Sequence, residues 1–259
     1  MKNLKLFYLF SKYAFKSTTQ QPVGSLFFLI GKIMRFGVYF VFVYYLLTNT
    51  MLLAGYNLNQ TLIFFLTFSI IDAIAQMLFR EVYRFRPLVV NAELDAILIK
   101  PYHPFMRILV GGVDLLDLVT IVFYLGLLCF YVIQLGSIVP LNIFIFLLLV
   151  INGLIIATAF HIIVLALGIL TTEVDHAIMI YRDVTRLGTL PIDIYQEPFR
   201  SLFTFFLPIG VMMTFPVKSL FGLLSGSVIA LSFVIGLLLL GFSLYLWNKA
   251  LKKYQSWGG

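Results

Sequence analysis

The sequence has little of what a water-soluble or disulfide-bonded protein needs. It contains one cysteine, Cys129, so no disulfide can form within the chain. Only 11% of the residues are charged, whereas 61% are hydrophobic and the mean hydropathy is +1.03. A soluble core of 259 residues could not hide that much apolar surface from water. The composition therefore predicts an integral membrane protein.

The sequence also lacks the patterns of two other classes of protein. Its formal charge is +7, but no basic stripe accompanied by a recognition motif is present, so no nucleic-acid partner is expected. No G-x-x-x-x-G-K-[ST] phosphate loop occurs, so the chain is not expected to bind ATP by that route. We expect no cofactor bound by this chain and no enzymatic activity of its own.

Six apolar runs are long enough, or nearly so, to cross the ~30 Å hydrocarbon layer, and only helices satisfy the backbone there. They cover residues 23–48, 58–79, 108–135, 141–170, 201–217 and 223–247. The predicted fold class is all-α: a polytopic membrane protein with six transmembrane helices and a single transmembrane domain over residues 1–259.

The basic residues predict the orientation of these spans. Fifteen of the 18 Lys and Arg residues fall on one side of the predicted membrane, and the positive-inside rule makes that side cytoplasmic. Both termini are then cytoplasmic. Residues 80–107 and 171–200 become the two cytoplasmic loops.

The first 20 residues have the pattern of an amphipathic helix on the membrane surface. Lys5, Lys12 and Lys16 recur at helical spacing and share one face. The other face is apolar, with Leu6, Leu9, Phe10 and Tyr13. We expect this interfacial helix to contact membrane lipid; the alternative is a frayed basic tail.

The stretch "NAELDAILIKPYHPF", residues 91–105, concentrates polar residues in an otherwise apolar chain. Asn91 suits an N-cap, Glu93 and Asp95 suit the first turn, and Pro101 stops a helix after Lys100. This pattern predicts a short helix over 91–100. Its apolar face consists of Leu94, Ile97 and Leu98. We expect that face to dock on a soluble partner; the alternative is a helix lying on the lipid surface.

Charged residues inside the predicted spans need a reason, because a charge in the hydrocarbon layer is costly. Lys32 and Arg35 share a face of the first span. Either the span begins near residue 36, or the pair faces a partner subunit or an aqueous path, or both side chains extend to the head groups. Asp72 lies deep in the second span, and Asp114 and Asp117 lie near the cytoplasmic end of the third.

Two histidine-containing patterns resemble metal sites only weakly. Glu173 and His176 form one Glu-x-x-His pair, whereas four-helix di-metal sites need two. Thr172 with Asp175 is better explained as a capping box. His161 is predicted to be a hydrogen-bonded packing residue in the fourth span, so no metal site is expected.

The fifth predicted span is short and interrupted by proline. Pro208 lies within it, Pro216 ends it, and Gly222 and Gly226 follow. Broken segments at membrane depth survive where protein or a water-lined cavity satisfies the freed backbone groups, so Pro208 and Lys218 are predicted to lie on the transport path. Lys218 is the one basic residue predicted on the outer side. It is expected to meet the cargo or a partner permease, and the alternative is a lone anchor.

Three motifs carry a resemblance to a known family. "AELDAILIKPYHP" resembles the Glu-Leu-Asp, Leu and Lys-Pro pattern of one cytoplasmic loop, and "PIDIYQEPFRSLFTFFLPIGVMMTFP" and "LWNKALKKYQSWGG" resemble later segments of the same proteins. These are permeases of the type-2 ATP-binding-cassette (ABC) exporter class, in its small six-span bacterial branch. One departure is visible: the branch usually has Gly where this chain has Ala92.

The resemblance implies a function and partners. Such a permease pairs with a second permease chain, identical or related, and with two cytosolic ABC ATPases that bind ATP and Mg, in the bacterial cytoplasmic (plasma) membrane. The loop 80–107 would hold the coupling helix that contacts the ATPase, with contact residues Glu93, Leu94, Asp95, Leu98, Lys100 and Pro101. Few polar residues in the spans favour export of an amphiphilic or apolar substrate. The alternatives are an ion-coupled secondary carrier, which could use Asp72 as a relay, and a non-transporting scaffold subunit.

Overall fold

The computed structural model describes residues 2–20, 22–50, 52–113, 115–136, 138–171 and 174–255. These residues contain no β-strand, and their one β-type backbone pairing is an isolated bridge between Leu53 and Tyr56. The all-α fold class is therefore confirmed. Asp114, Thr172, Glu173 and the last four residues, with Ser256 and Gly258 of the C-terminal motif, lie outside the described residues.

Eleven α-helices are present in the described residues. They are α1 Lys2–Thr19, α2 Pro22–Thr50, α3 Leu58–Phe79, α4 Phe85–Val90, α5 Glu93–Leu98, α6 Leu115–Gln134, α7 Pro140–Thr171, α8 Val174–Arg186, α9 Phe199–Ser201, α10 Phe215–Leu220 and α11 Gly226–Lys253. Short 3₁₀ turns occupy Arg80–Arg84 and Ile192–Ile194, and π-type turns occupy Met106–Val110, Leu202–Phe206 and Gly210–Thr214.

Five helices are long and apolar enough to cross a membrane: α2, α3 with its extension to Val90, α6, α7 and α11. The predicted bounds of α3 are confirmed, because Asn57 and Gln60 form a capping box at its start. The first of these helices, α2, begins at Pro22, and a membrane span that starts near residue 36, within α2, stays a prediction. The third helix begins later than predicted, at Leu115, because the chain turns at Gly111 with φ +53°.

The long helices define two ends of the molecule. One end contains α1, α5 and the C-terminus of α11; we call it the basic end, because the N- and C-terminal lysines lie there. The other, which we call the opposite end, contains Tyr56 at the start of α3 and Gly222, whose backbone approaches Asn142 of α7. The positive-inside rule predicts that the basic end is cytoplasmic.

The segment that follows α7 crosses from one end to the other. At the start of α8, Asp175 contacts Arg86 of α4 at the basic end, at 3.4 Å. Further along, Tyr181 packs on His161 of α7 with ring centroids 4.7 Å apart. Asp193 then reaches Tyr56 at the opposite end, at 3.2 Å. Residues 171–200 are therefore not a wholly cytoplasmic loop, contrary to the prediction.

The predicted fifth span is a bent pair of short helical arms. Residues Phe199–Phe206 and Gly210–Leu220 meet at 77° around Pro208. Arg200 in the first arm and Lys218 in the second both contact the same oxygen of Asp193, each at 2.7 Å. Because both arms meet one carboxylate, the pair enters and leaves at the opposite end and forms a re-entrant loop. Pro216 lies in the first turn of α10 and does not end the segment as predicted.

The core is centred on α7, which packs against α11, α8, α10 and α3. Gly153 permits the closest approach: a Cβ atom there would lie 2.7 Å from the carbonyl oxygen of Met212 in the re-entrant loop. Asn152 donates to the carbonyl of Ser232 on α11, at 2.9 Å. Small and polar residues of α7 thus hold the re-entrant loop and α11 close to its axis.

Candidate functional site

The segment between α3 and α6 forms a compact group of turns at the basic end. Within it α4 and α5 meet at Ala92, which has φ +58° and makes no side-chain cap. The predicted N-cap at Asn91 is therefore wrong, and the helix runs over Glu93–Leu98 rather than 91–100. A left-handed residue costs an alanine roughly 1–2 kcal/mol that glycine avoids. Glycine would therefore fit this joint without strain.

The apolar face of α5 packs on its own chain. Leu94 is fully buried and Ile97 is 5% exposed, both in the main core with Phe85. The predicted contact between Leu94 and a partner is therefore wrong, because the side chain has no exposed surface. Leu98 is also partly covered by this core.

The exposed side of α5 and the residues after it form a different surface. It consists of Glu93, Ala96, Ile99, Lys100 and Pro101, which we call the α5 surface. Ile99 is its largest apolar residue and is 85% exposed. Three predicted contact residues, Glu93, Lys100 and Pro101, belong to it, and Asp95 lies half-buried at its edge.

The C-terminal end of α11 packs against the segment between α3 and α6. The ring of Trp247 packs on Phe105 with centroids 4.9 Å apart. The carboxylate of Asp95 lies beside the Tyr254 hydroxyl, and burial first, then this acid, raises the pKa of Tyr254 to about 12. The carboxylate of Asp95 thus contacts its own chain, through Tyr254.

The N-terminal helix α1 lies against the same group of turns. Gly112 allows this contact, since a Cβ atom there would lie 2.5 Å from the Phe10 carbonyl oxygen. Ser11 accepts a hydrogen bond from the backbone N–H of Val113, at 3.3 Å. The predicted cationic face, Lys5, Lys12 and Lys16, is exposed, and so is Tyr13 at 66%. Contact with lipid stays a prediction.

A buried ion cluster joins α2, α3 and α6. Asp117 is fully buried and forms ion pairs with Lys32 and, at 3.5 Å, with Arg80. Both cations lie over the ring of Phe28, at 4.9 and 5.5 Å. An acid of the same chain therefore meets the charge of Lys32, and the sequence alternatives for this residue stay predictions.

Lys32 also lines a cavity of about 670 Å³, together with Arg35, between α2, α3, α6 and the residues at the end of α8. Asp72 lies in the same wall, 4.0 Å from Arg35, and accepts a hydrogen bond from Gln76 at 2.7 Å. Arg186, the last residue of α8, and Thr189, which follows this helix, complete the lining. The predicted aqueous path beside Arg35 stays a prediction that this geometry favours.

The residues predicted to lie on the transport path are placed elsewhere. Pro208 is buried in the bend of the re-entrant loop, and neither Pro208 nor Lys218 lines the cavity. The Lys218 side chain is 14% exposed and pairs with Asp193, so the lone-anchor alternative is wrong. Their role in transport stays a prediction.

His161 is a packing residue, as predicted. Its Nδ1 lies 2.7 Å from the carbonyl oxygen of Ala157, and its ring packs among Phe79, Tyr83 and Tyr181. Among the residues that the structure describes, no three His, Cys, Asp or Glu side chains come together as a metal site. The pair Glu173 and His176 cannot be compared, because Glu173 lies outside the described residues.

The chain matches the model of the family described as "ABC-2 family transporter protein" over residues 33–258. It belongs to this ABC-2 transporter family. Neither a curated protein nor a solved structure matches it. The protein is therefore a multi-pass permease subunit of an ABC transporter in the cytoplasmic membrane, and membership implies association with ABC ATPases.

Sequence reasoning missed three residues of this ABC-2 permease that the structure brings forward. Ile99 falls off the predicted apolar face of α5 but is its most exposed apolar residue. Asp193 is the one charged residue in the apolar stretch "PIDIY", and this pattern would have predicted a buried ion pair. Arg186 looked like a cytoplasmic loop residue because the segment around it is charged.

Proposed function

We propose that this ABC-2 permease is the membrane subunit of an ATP-driven exporter of amphiphilic or apolar molecules. Separate ATPase chains bind ATP and Mg and supply the energy. The observation that carries this proposal is the family match over residues 33–258. The sequence supports it, since these 259 residues contain no phosphate-loop motif that could bind ATP.

The α5 surface is the proposed ATPase contact. Its exposed isoleucine, Ile99, is flanked by Lys100 and Glu93, which gives an apolar anchor with a charged rim. The buried face, through Leu94 and Ile97, ties the surface to the transmembrane core. A movement imposed on α5 by an ATPase would therefore be passed directly to the helices of the core.

The exposed face of α2 is the proposed contact with a second permease chain. Val38, Val41 and Tyr45 are 69%, 63% and 71% exposed along this helix. Lipid or a partner must cover such a face inside a membrane. The pairing partner is this chain or a relative.

Co-purification tests the proposal. A tagged parent chain, extracted in mild detergent from its native host, should retain an ATPase with a phosphate-loop motif. Ile99→Asp should lower the retained ATPase about tenfold or more, because it places a charge at the centre of an apolar contact. Its folding should be unaffected, since the side chain is 85% exposed.

Leu52→Asp is the matched control, since Leu52 is 55% exposed at the opposite end. It should retain the ATPase as the parent does. An ATPase retained equally by Ile99→Asp would remove the α5 surface from the contact. The absence of any ATPase from the parent at matched membrane abundance would refute the proposed function itself.

A further inference from the structure

The cavity between α2, α3, α6 and α8 is amphipathic. Its volume of about 670 Å³ falls in the range of sites for drug-sized ligands, roughly 300–1,000 Å³. Arg35, Asp72 and Gln76 lie at one end. Phe65 lies two turns before Asp72 on α3, about 10 Å away, and stacks on Tyr39 with centroids 4.1 Å apart. One end of the cavity is therefore charged and the other is aromatic.

Cations outnumber acids around the charged end. In the described part of the chain, the wall, the small pocket that adjoins it and the ion-pair partners of their residues contain four cations and three acids: Lys32, Arg35, Arg182 and Arg186 against Asp72, Asp117 and Asp183. These seven residues have a net charge of +1. An excess of positive charge at membrane depth marks a functional site by default, because it is costly to maintain.

The three acids form ion pairs or hydrogen bonds with their neighbours, but these contacts do not neutralise all the cations around the cavity. Asp117 is shared by Lys32 and Arg80. Asp72 is 4.0 Å from Arg35, beyond hydrogen-bond distance, and accepts from Gln76 instead. Arg186 has Asp183 at 3.2 Å, but that side chain is 67% exposed and its charge is partly screened. Arg35 and Arg186 are thus the cations that can turn to a bound anion.

We infer that this cavity binds an amphiphile with an anionic head group. Arg35 and Arg186 contact the head group, and Tyr39, Phe42 and Phe65 contact the apolar part. A neutral or cationic amphiphile would leave the positive excess unmatched. The Tyr39 hydroxyl, which has no hydrogen-bond partner in the described part of the chain, adds a donor beside the cavity. The inference rests on the proposed function only in taking the bound molecule as cargo.

Binding to the purified full chain tests the inference without an ATPase. The chain is placed in phosphatidylcholine nanodiscs, and the fluorescence of dansyl-labelled undecanoate is compared with that of its uncharged methyl ester, after subtraction of empty discs. The carboxylate should bind about tenfold or more tightly than the ester, because it alone gains charge-assisted hydrogen bonds. Arg35→Gln with Arg186→Gln should abolish most of this difference and leave ester binding unchanged.

Two further variants should change the affinity for the carboxylate in opposite directions. Asp72→Asn should tighten carboxylate binding, because Asp72 is the one acid among the described residues of the wall. Phe42→Ala should weaken the binding of both probes to the same degree. Phe144→Ala should weaken the binding of neither, since Phe144 lies outside the cavity and is 58% exposed, close to the 52% of Phe42. Arg84→Gln is the control for charge removal, since Arg84 is exposed and does not line the cavity.

Equal affinity of the parent for carboxylate and ester would overturn the inference, and so would an unchanged carboxylate affinity in the double arginine variant. Retained ester binding in that variant shows that the cavity is intact. Addition of phosphatidylglycerol to the discs distinguishes two kinds of anionic amphiphile that could occupy the cavity. Displacement of the probe identifies a bilayer lipid, and persistence of the probe identifies a smaller amphiphile. Because no ATPase is present, these outcomes are independent of the co-purification result.

Discussion

The α4–α5 segment at the basic end and the re-entrant loop at the opposite end are both pairs of short helical arms joined at a sharp break. They differ in what covers them. The segment buries one face, through Leu94 and Ile97, and exposes the other, where Ile99 is 85% exposed. In the re-entrant loop residues 208–217 are buried throughout, whereas the first arm exposes Phe206 by 77%. The α4–α5 segment offers a surface to a partner, whereas the second arm of the re-entrant loop is held by its own chain.

The charges of the two regions follow the same division. Glu93 and Lys100 are exposed at the basic end. At the opposite end Asp193 is 12% exposed and holds Arg200 and Lys218. Exposed charges suit an interface rim, whereas a nearly buried carboxylate between two cations fixes a loop.

The largest expected effect concerns the side of the membrane on which residue 196 lies. Gln196 is exposed three residues after Asp193. In a Cys129→Ser background, Gln196→Cys should react with an impermeant thiol reagent added to intact cells. Lys253→Cys, at the basic end, should react only after permeabilisation. Reaction of both cysteines only after permeabilisation would place residues 171–200 in the cytoplasm after all and would refute the re-entrant loop.

A smaller effect is expected when the carboxylate of the re-entrant loop is neutralised. Asp193→Asn leaves Arg200 and Lys218 without their shared acid, which should cost stability at the lower end of about 3–5 kcal/mol, because some solvent contact remains. Thermal unfolding of the purified chain measures it. Asp183→Asn, which removes an acid that is 67% exposed, should change stability by less than about 1 kcal/mol. Similar losses in both variants would mean that Asp193 does not fix the loop.

The smallest effect concerns the joint between α4 and α5. Ala92→Gly should raise the free energy of unfolding by about 0.5 kcal/mol and so raise the unfolding temperature slightly. The reason is that relief of the left-handed strain exceeds the entropy that glycine adds to the unfolded chain. Ala96→Gly, within α5, should lower stability by about 1 kcal/mol. Equal losses in both variants would contradict the strained joint.

Hydropathy and capping chemistry predict the long helices well. The bounds of α3 follow from an apolar run with a polar cap at Asn57 and Arg80 after its end. The same rules misplace the fifth crossing. Residues 174–186 look soluble because they contain Asp175, Arg182 and Arg186, yet α8 packs along α7. Run length cannot separate a polar helix inside a bundle from a loop, nor a buried re-entrant loop from a span.

The candidate site was predictable in position but not in orientation. The acids, lysine and prolines of residues 91–105 mark a short helix at the cytoplasmic end. Periodicity shows that Leu94, Ile97 and Leu98 share a face, but it cannot show whether a partner or the same chain covers that face. The ion pairs of Lys32 and Asp193 depend on contacts over 85 and 25 residues of sequence, which no local pattern encodes.

ATP-dependent transport in inside-out vesicles tests the central claim most directly. Vesicles that contain the permease and its co-purified ATPase should accumulate dansyl-labelled undecanoate when ATP and Mg are added, and Ile99→Asp should abolish accumulation. An imposed proton gradient without ATP should give none. Accumulation driven by the proton gradient alone, and lost in Asp72→Asn but not in Ile99→Asp, would contradict the account and identify an ion-coupled carrier.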